Sequence, residues 1–315
     1  MDRRRFMKSG AALGLAMGAA QGEDQKTGGA RSGKGGFWPG GARFVVSLSL
    51  QMEAGAQPER GAQGPWGQLD TKYPDLPTEK WYEYGFKEGI PRLLEMYERR
   101  KVKVTSHMVG MAVEKHPALA KEIVERGHEP AAHGYTWEPV YAKTPEEEHA
   151  SYEANVRAIE KATGQRPIGF NAAGMRATPA TFGILQDLGF LYHTDDLSRD
   201  EPFLIPVKSK PFVVVPYTFM LNDLQNFENR WRTCSDFAGE LKAEFDALYA
   251  ESEHKRRMIS MSAHDRVAGR ASRMRVEEEF IIYAQKHPGV VFMRKDEIAK
   301  FALSSPMTIR EGELA

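Results

Sequence analysis

Glu53, His107, His133 and His264, with the neighbouring pair Asp195 and Asp196, are the side chains of this sequence whose types could do chemistry together. A carboxylate beside imidazoles can take a proton from water and return one to a leaving group. Two imidazoles and a carboxylate are also an adequate ligand set for a divalent metal, so Glu53, His107 and His133 form a candidate site for Zn or Mn. The residues are scattered along the chain, and their spacing alone does not bring them together. Each, however, stands at or near the end of a run read as a strand.

Those runs are the elements that must do the positioning. Strand patterns cover 42–50, 102–109, 129–132, 168–171, 190–193, 212–216, 257–263 and 290–293. Between them, helical periodicity covers 91–99, 117–126, 144–162, 178–188, 236–251, 276–286 and 295–303, with proline or hydroxyl starts at Pro91, Pro117 and Thr144. Alternating strands and helices without an internal repeat predict an α/β chain whose parallel strands close into a (β/α) barrel, with polar residues gathered at the C-terminal face. The stretch 55–77 is rich in Gly, Pro and Gln and has no periodicity, so it reads as a long loop bordering that face.

A chain of 315 residues, 41% hydrophobic, can bury one large core. Its 43 basic and 43 acidic residues cancel, and no basic stripe appears, so nucleic acid is excluded as a partner and a small neutral or anionic substrate is expected. Cys234 is the only cysteine, so no intramolecular disulfide can form. Arg3-Arg4-Arg5-Phe6 followed by a Gly/Ala/Leu run has the build of a twin-arginine export signal over 1–20, and the glycine-rich segment 21–36 reads as a tether. The apolar run is far shorter than the roughly 20 residues of a spanning helix, so a periplasmic or secreted protein without stable membrane insertion is expected. Cleavage removes four basic residues and one acidic one, leaving a net charge of about −3. A homo-oligomer is compatible with all of this.

Five ordered motifs carry a family resemblance: Tyr84-Gly85 with Gly89, Pro91 and Arg92; Gly127-His128-Glu129 with His133-Gly134; Arg176 with Thr178-Pro179; Leu188-Gly189-Phe190 with Tyr192; and His264-Asp265-Arg266 with Gly269. Together they resemble the polysaccharide deacetylase (NodB-homology) family in its allantoinase-like branch, over a catalytic domain spanning 37–303 and followed by a tail, 304–315. The resemblance implies a distorted (β/α) barrel that hydrolyses a carbon-nitrogen bond in an amide or cyclic amide, with members acting on N-acetylated sugars, allantoin or related imides. The family's first motif supplies Asp residues and its second a His-x-x-x-His metal pair. Here Ser49-Leu50-Gln51 stands at the first and Trp137 replaces the second histidine, so only His133 remains of that ligand set. This departure resembles the branch thought to work without the usual metal.

The resemblance also implies roles. His264 would protonate the leaving nitrogen, and Arg176 would bind the substrate carbonyl or developing oxyanion. Glu53 is the candidate base. Asp265 and Arg266 would form an orienting ion pair, while Asp195 and Asp196 would cap a turn or hold Arg176 or a histidine. Trp137, Trp66 and Tyr135 are candidates for a stacking wall, each equally at home as packing. Three readings follow: a metal-free carbon-nitrogen hydrolase, a metal-dependent deacetylase of N-acetylated sugars, and a catalytically inactive barrel that binds a glycan or cyclic amide.

Overall fold

The computed structural model describes residues 36–138 and 140–312; the export signal and all but the last residue of the tether lie outside the described residues. The chain opens with β1 (Phe44–Met52), a hairpin of β2 (Gln63–Gly64) and β3 (Gly67–Gln68), and the helices α1 (Leu76–Tyr84) and α2 (Ile90–Arg100), joined by a π-helical turn at Gly85–Gly89. Next come β4 (Thr105–Met108), α3 (Gly110–Lys115), α4 (Pro117–Glu125), β5 (Glu129–Ala132), α5 (Pro145–Thr163), β6 (Gly169–Phe170), α6 (Thr181–Asp187) and β7 (Tyr192–His193). The last third holds β8 (Phe203–Val207), β9 (Lys210–Val214), α7 (Cys234–Glu251), β10 (Arg257–His264), α8 (Ala271–Gln285), β11 (Val290–Phe292), α9 (Lys295–Ser304) and β12 (Ile309–Arg310). No helix among the described residues is long and apolar enough to cross a membrane.

Strand order is β10-β1-β4-β5-β6-β7-β9-β8-β12, parallel except for the β8–β9 hairpin, with β11 also pairing β1. Between β9 and β10 the wall is continued by irregular chain. Thr218 N donates to Ser260 O at 3.2 Å, the Thr218 hydroxyl accepts from Ser260 N at 3.0 Å, and Asn222 bridges Ser262. This is the distorted (β/α) barrel that the motifs imply, with a loop standing where a regular strand would be. Four segments differ from the sequence reading: α3 and β8 form where neither helix nor strand was expected, and two others change character. The supposed loop at 55–77 contains the β2–β3 hairpin and the start of α1, capped by Asp75, whose carboxylate accepts from Thr78 N. The supposed tail at 304–315 supplies β12, whose Ile309 pairs with Phe203.

β1 explains how the barrel is filled. Phe44, Val46, Leu48, Leu50 and Met52 face outward into the main hydrophobic core under the helices, while Ser47, Ser49 and Gln51 point inward with the alternation of a strand. Register places Ser49 beside Thr105 and Ser262, and Gln51 beside His107 and His264, so the interior is stacked in polar rows. At the floor, Lys295 is fully buried, its ammonium donating to the hydroxyls of Ser49 at 2.7 Å and Ser47 at 3.2 Å. Burial pulls its pKa down to about 7, against the opposing pull of Glu129.

A lysine whose folded pKa lies below its unfolded value binds fewer protons when folded, so stability must rise with pH from about 7 toward the unfolded value. Lys295→Met, which keeps the volume, is therefore expected to remove a slope of up to about 1.4 kcal/mol per pH unit over that window. Denaturation midpoints of the two proteins between pH 7 and 9 check this; parallel curves would count against it.

Candidate active site

Glu53 follows the last residue of β1 and is buried. Its backbone is pinned from the neighbouring strand end: Asp265 Oδ2 accepts from Glu53 N at 2.9 Å and Ala54 N at 2.8 Å, and Asp265 N donates to Gln51 O at 3.2 Å. That contact requires glycine on the helical side. A Cβ on Gly85 would lie 2.8 Å from the Asp265 carboxylate carbon, and one on Gly89 would lie 2.0 Å from the Asp265 carbonyl oxygen, so the spacing of the first motif is a clearance for the last.

Three side chains converge on the Glu53 carboxylate. His133 Nε2 lies 3.3 Å and His264 Nε2 3.6 Å from Oε1, while Arg266 Nη1 donates to Oε2 at 2.7 Å. Burial alone would raise the pKa of Glu53, but the charges of His264 and Arg266 outweigh it and hold the carboxyl well below the usual carboxylate range. His133 follows β5, its backbone N–H held by the buried Asn155 side chain at 2.9 Å. Its Nδ1 lies 2.7 Å from Asn171 O; a carbonyl only accepts, so Nδ1 carries the hydrogen and Nε2 is turned to Glu53.

His264 is oriented by Asp223. Asp223 Oδ1 lies 2.6 Å from Nδ1, and Oδ2 accepts from His264 N at 2.8 Å and Ala268 N at 2.9 Å. Burial lowers the pKa of His264, yet the carboxylates of Asp223 and Glu53 outweigh it and the net shift is upward. The upward shift favours the proton-carrying imidazole, whose Nε2 faces Glu53 Oε1 at 3.6 Å. Asp223 was not among the sequence candidates, because it lies in the irregular 217–224 stretch that closes the barrel and belongs to no motif.

A cavity of about 100 Å³ opens over this group, lined by Glu53, His133 and His264 beneath and by Trp137, Tyr217 and Phe219 at the sides. Trp137 thus borders the cavity and also packs on Arg266, whose guanidinium sits 4.8 Å from its ring and 4.6 Å from that of Tyr82. Trp66 is 58% exposed against Trp81, and the Tyr135 hydroxyl donates to Glu114; neither lines the cavity. Arg176 is exposed and outside the lining, next to Gly174 and Met175, which contribute to it. Asp195 accepts from the Asn171 side chain at 2.7 Å and Ala172 N at 2.9 Å, supporting the carbonyl that orients His133. Burial raises its pKa to about 6. Asp196 caps the turn at Ser198. Asp265 does pair with Arg266, at 3.5 Å, but the closer partner of that arginine is Glu53.

The metal set Glu53, His107 and His133 does not assemble. His107 is buried with its ring 6.1 Å from that of His133, neither of its nitrogens has a hydrogen-bond partner, and the described residues contain no group of three His, Cys, Asp or Glu able to hold a metal ion. The residues present do not fit the family's metal.

The polysaccharide deacetylase family model matches residues 80–193. A crystal structure of the probable polysaccharide deacetylase of Pseudomonas aeruginosa is 32% identical, with TM-score 0.79, over 86% of this chain and 95% of that one. The chain belongs to the polysaccharide deacetylase family. This family member is also 30% identical to the crystal structure of PuuE allantoinase, with TM-score 0.80, over 88% of this chain and 96% of that one. A peptidoglycan deacetylase of Helicobacter pylori is 27% identical over 67% of this chain and 82% of its own length. The protein is accordingly a carbon-nitrogen hydrolase.

Proposed function

We propose that this deacetylase-family protein hydrolyses a small amide or cyclic amide at the carbonyl carbon, without using the family's metal. The observation that carries the reading is the Asp223–His264 pair facing Glu53 and His133 inside a cavity of about 100 Å³. The aromatic side chains around this cavity suit one small ring. Water held at Glu53 Oε1 attacks the carbonyl carbon, and its proton passes by way of Oε1 to His133 Nε2, 3.3 Å away. The oxygen becomes an oxyanion, the carbonyl re-forms, and His264 Nε2 gives its proton to the nitrogen as the C–N bond breaks. An open-chain amide yields an acid and an amine; a cyclic amide yields one ring-opened product. Similarity to a protein named as an allantoinase supports the cyclic substrate. The twin-arginine-type start, with its short apolar run, supports export to the periplasm or beyond as part of the same proposal.

The purified protein should be assayed on allantoin and related cyclic amides beside N-acetylated sugar oligomers, with no metal added. Ring opening with intact oligomers is expected. Acetate release from the oligomers with no ring opening would assign the substrate to the sugars instead.

A further inference from the structure

The donor set that fails to hold a metal is not short of positive charge. Arg266 is almost wholly buried, it directs Nη1 at Glu53 Oε2, and its guanidinium lies 4.6 Å from the Tyr82 ring and 4.8 Å from that of Trp137, two rings that pack edge-to-face on each other. Its own backbone N–H is fixed by Asp265 Oδ1 at 2.6 Å, and the same Asp265 fixes the backbone of Glu53, so cation and carboxylate are set by one residue. Guanidinium cannot be deprotonated in a protein, and a planar cation is attracted to the aromatic rings beside it.

We infer that Arg266 is the built-in cation of this site, standing in for a divalent ion, and that Trp137 is present at its position because it holds that cation in place. Glu53 then has one oxygen committed to Arg266 and a single oxygen facing the imidazoles. A divalent ion approaching Glu53 would meet a fixed positive charge at the distance of a hydrogen bond, in a site where charges are weakly screened. Trp137 offers a ring to the guanidinium at 4.8 Å where an imidazole could have offered a lone pair. The inference deepens the proposed reaction of this site, but it is read from metal binding without substrate, so it can fail while the hydrolytic reading stands, and the reverse.

Zinc binding by calorimetry and metal content after dialysis test it, on wild type, Arg266→Lys, Trp137→His and the double variant Trp137→His with Arg266→Met. Methionine removes the cation and keeps most of the stem. Wild type, Arg266→Lys and Trp137→His, all retaining the charge, are expected to carry no stoichiometric zinc. The double variant is expected to bind one zinc at least about 100-fold more tightly than wild type, a gain ordinary for ligands that become deprotonated and unopposed. One tightly held zinc in wild type, or a folded double variant that binds no better than wild type, would overturn the inference. Should the double variant not fold, Trp137→His alone decides: zinc-free supports the role of Arg266, and one bound zinc refutes it.

Discussion

His264→Ala is expected to lower turnover by about 10²–10⁴-fold, the usual contribution of a positioned general acid, while the protein stays folded. The imidazole ends β10 and its removal opens space toward the cavity, with the outward side of that strand, Ile259, Met261 and Ala263, left packed under the helices. The companion change is Asp223→Asn. Asp223 raises the pKa of His264 against the effect of burial, so the active, protonated imidazole is lost as pH rises through that raised value. Removing the carboxylate charge lowers it, and the alkaline limb of the rate profile should move to lower pH. A pH–rate series on both variants, with circular dichroism as the folding control, makes the check. Full activity in folded His264→Ala would end the assignment of His264 as acid. An unmoved alkaline limb in Asp223→Asn would remove Asp223 from the proton path.

Much of this was legible in the sequence because the chemistry stands at strand ends. The run ending in Gln51-Met52-Glu53, the four residues before His133 and the run ending in His264 each announce a strand by β-branched or apolar content, and a parallel barrel brings such ends together. The serines alternating in β1 form its polar face, and that face is the barrel interior. Asp223 was not legible, since it is carried by chain that closes the barrel without regular pairing, and no local period marks such chain. The α1 helix was hidden for a related reason: Pro74, Pro77 and the turn-rich residues before them read as loop, yet proline is tolerated in the first turn of a helix and Asp75 caps it. Arg176 follows the positive φ of Gly174 and Met175, which turn the segment after β6 and leave it exposed beside the cavity that those two residues line. Distances between strand ends, and hence which histidine faces Glu53, depend on barrel shear and on the glycine clearances at Gly85 and Gly89, which one sequence does not fix.

Glu53 is where function and stability meet, and its replacement should register in both. Arg266 is almost wholly buried and its shortest ion pair is with Glu53, at 2.7 Å. Glu53→Ala deletes that acceptor and leaves a guanidinium that cannot neutralise itself, facing only the longer 3.5 Å contact to Asp265. Breaking one side of a buried pair commonly costs about 3–5 kcal/mol, and both residues here are nearly inaccessible to water that could compensate. Glu53→Gln keeps an amide oxygen for Arg266 and should cost clearly less. Turnover separates the two effects. Neither variant has a carboxylate to share a proton with His133, so both should lose activity to a similar extent although their stabilities differ. Urea denaturation midpoints measured beside amide hydrolysis make the comparison. Equal stabilities for Glu53→Ala and wild type would show that Arg266 does not depend on Glu53, and high turnover in Glu53→Gln would take Glu53 out of water activation.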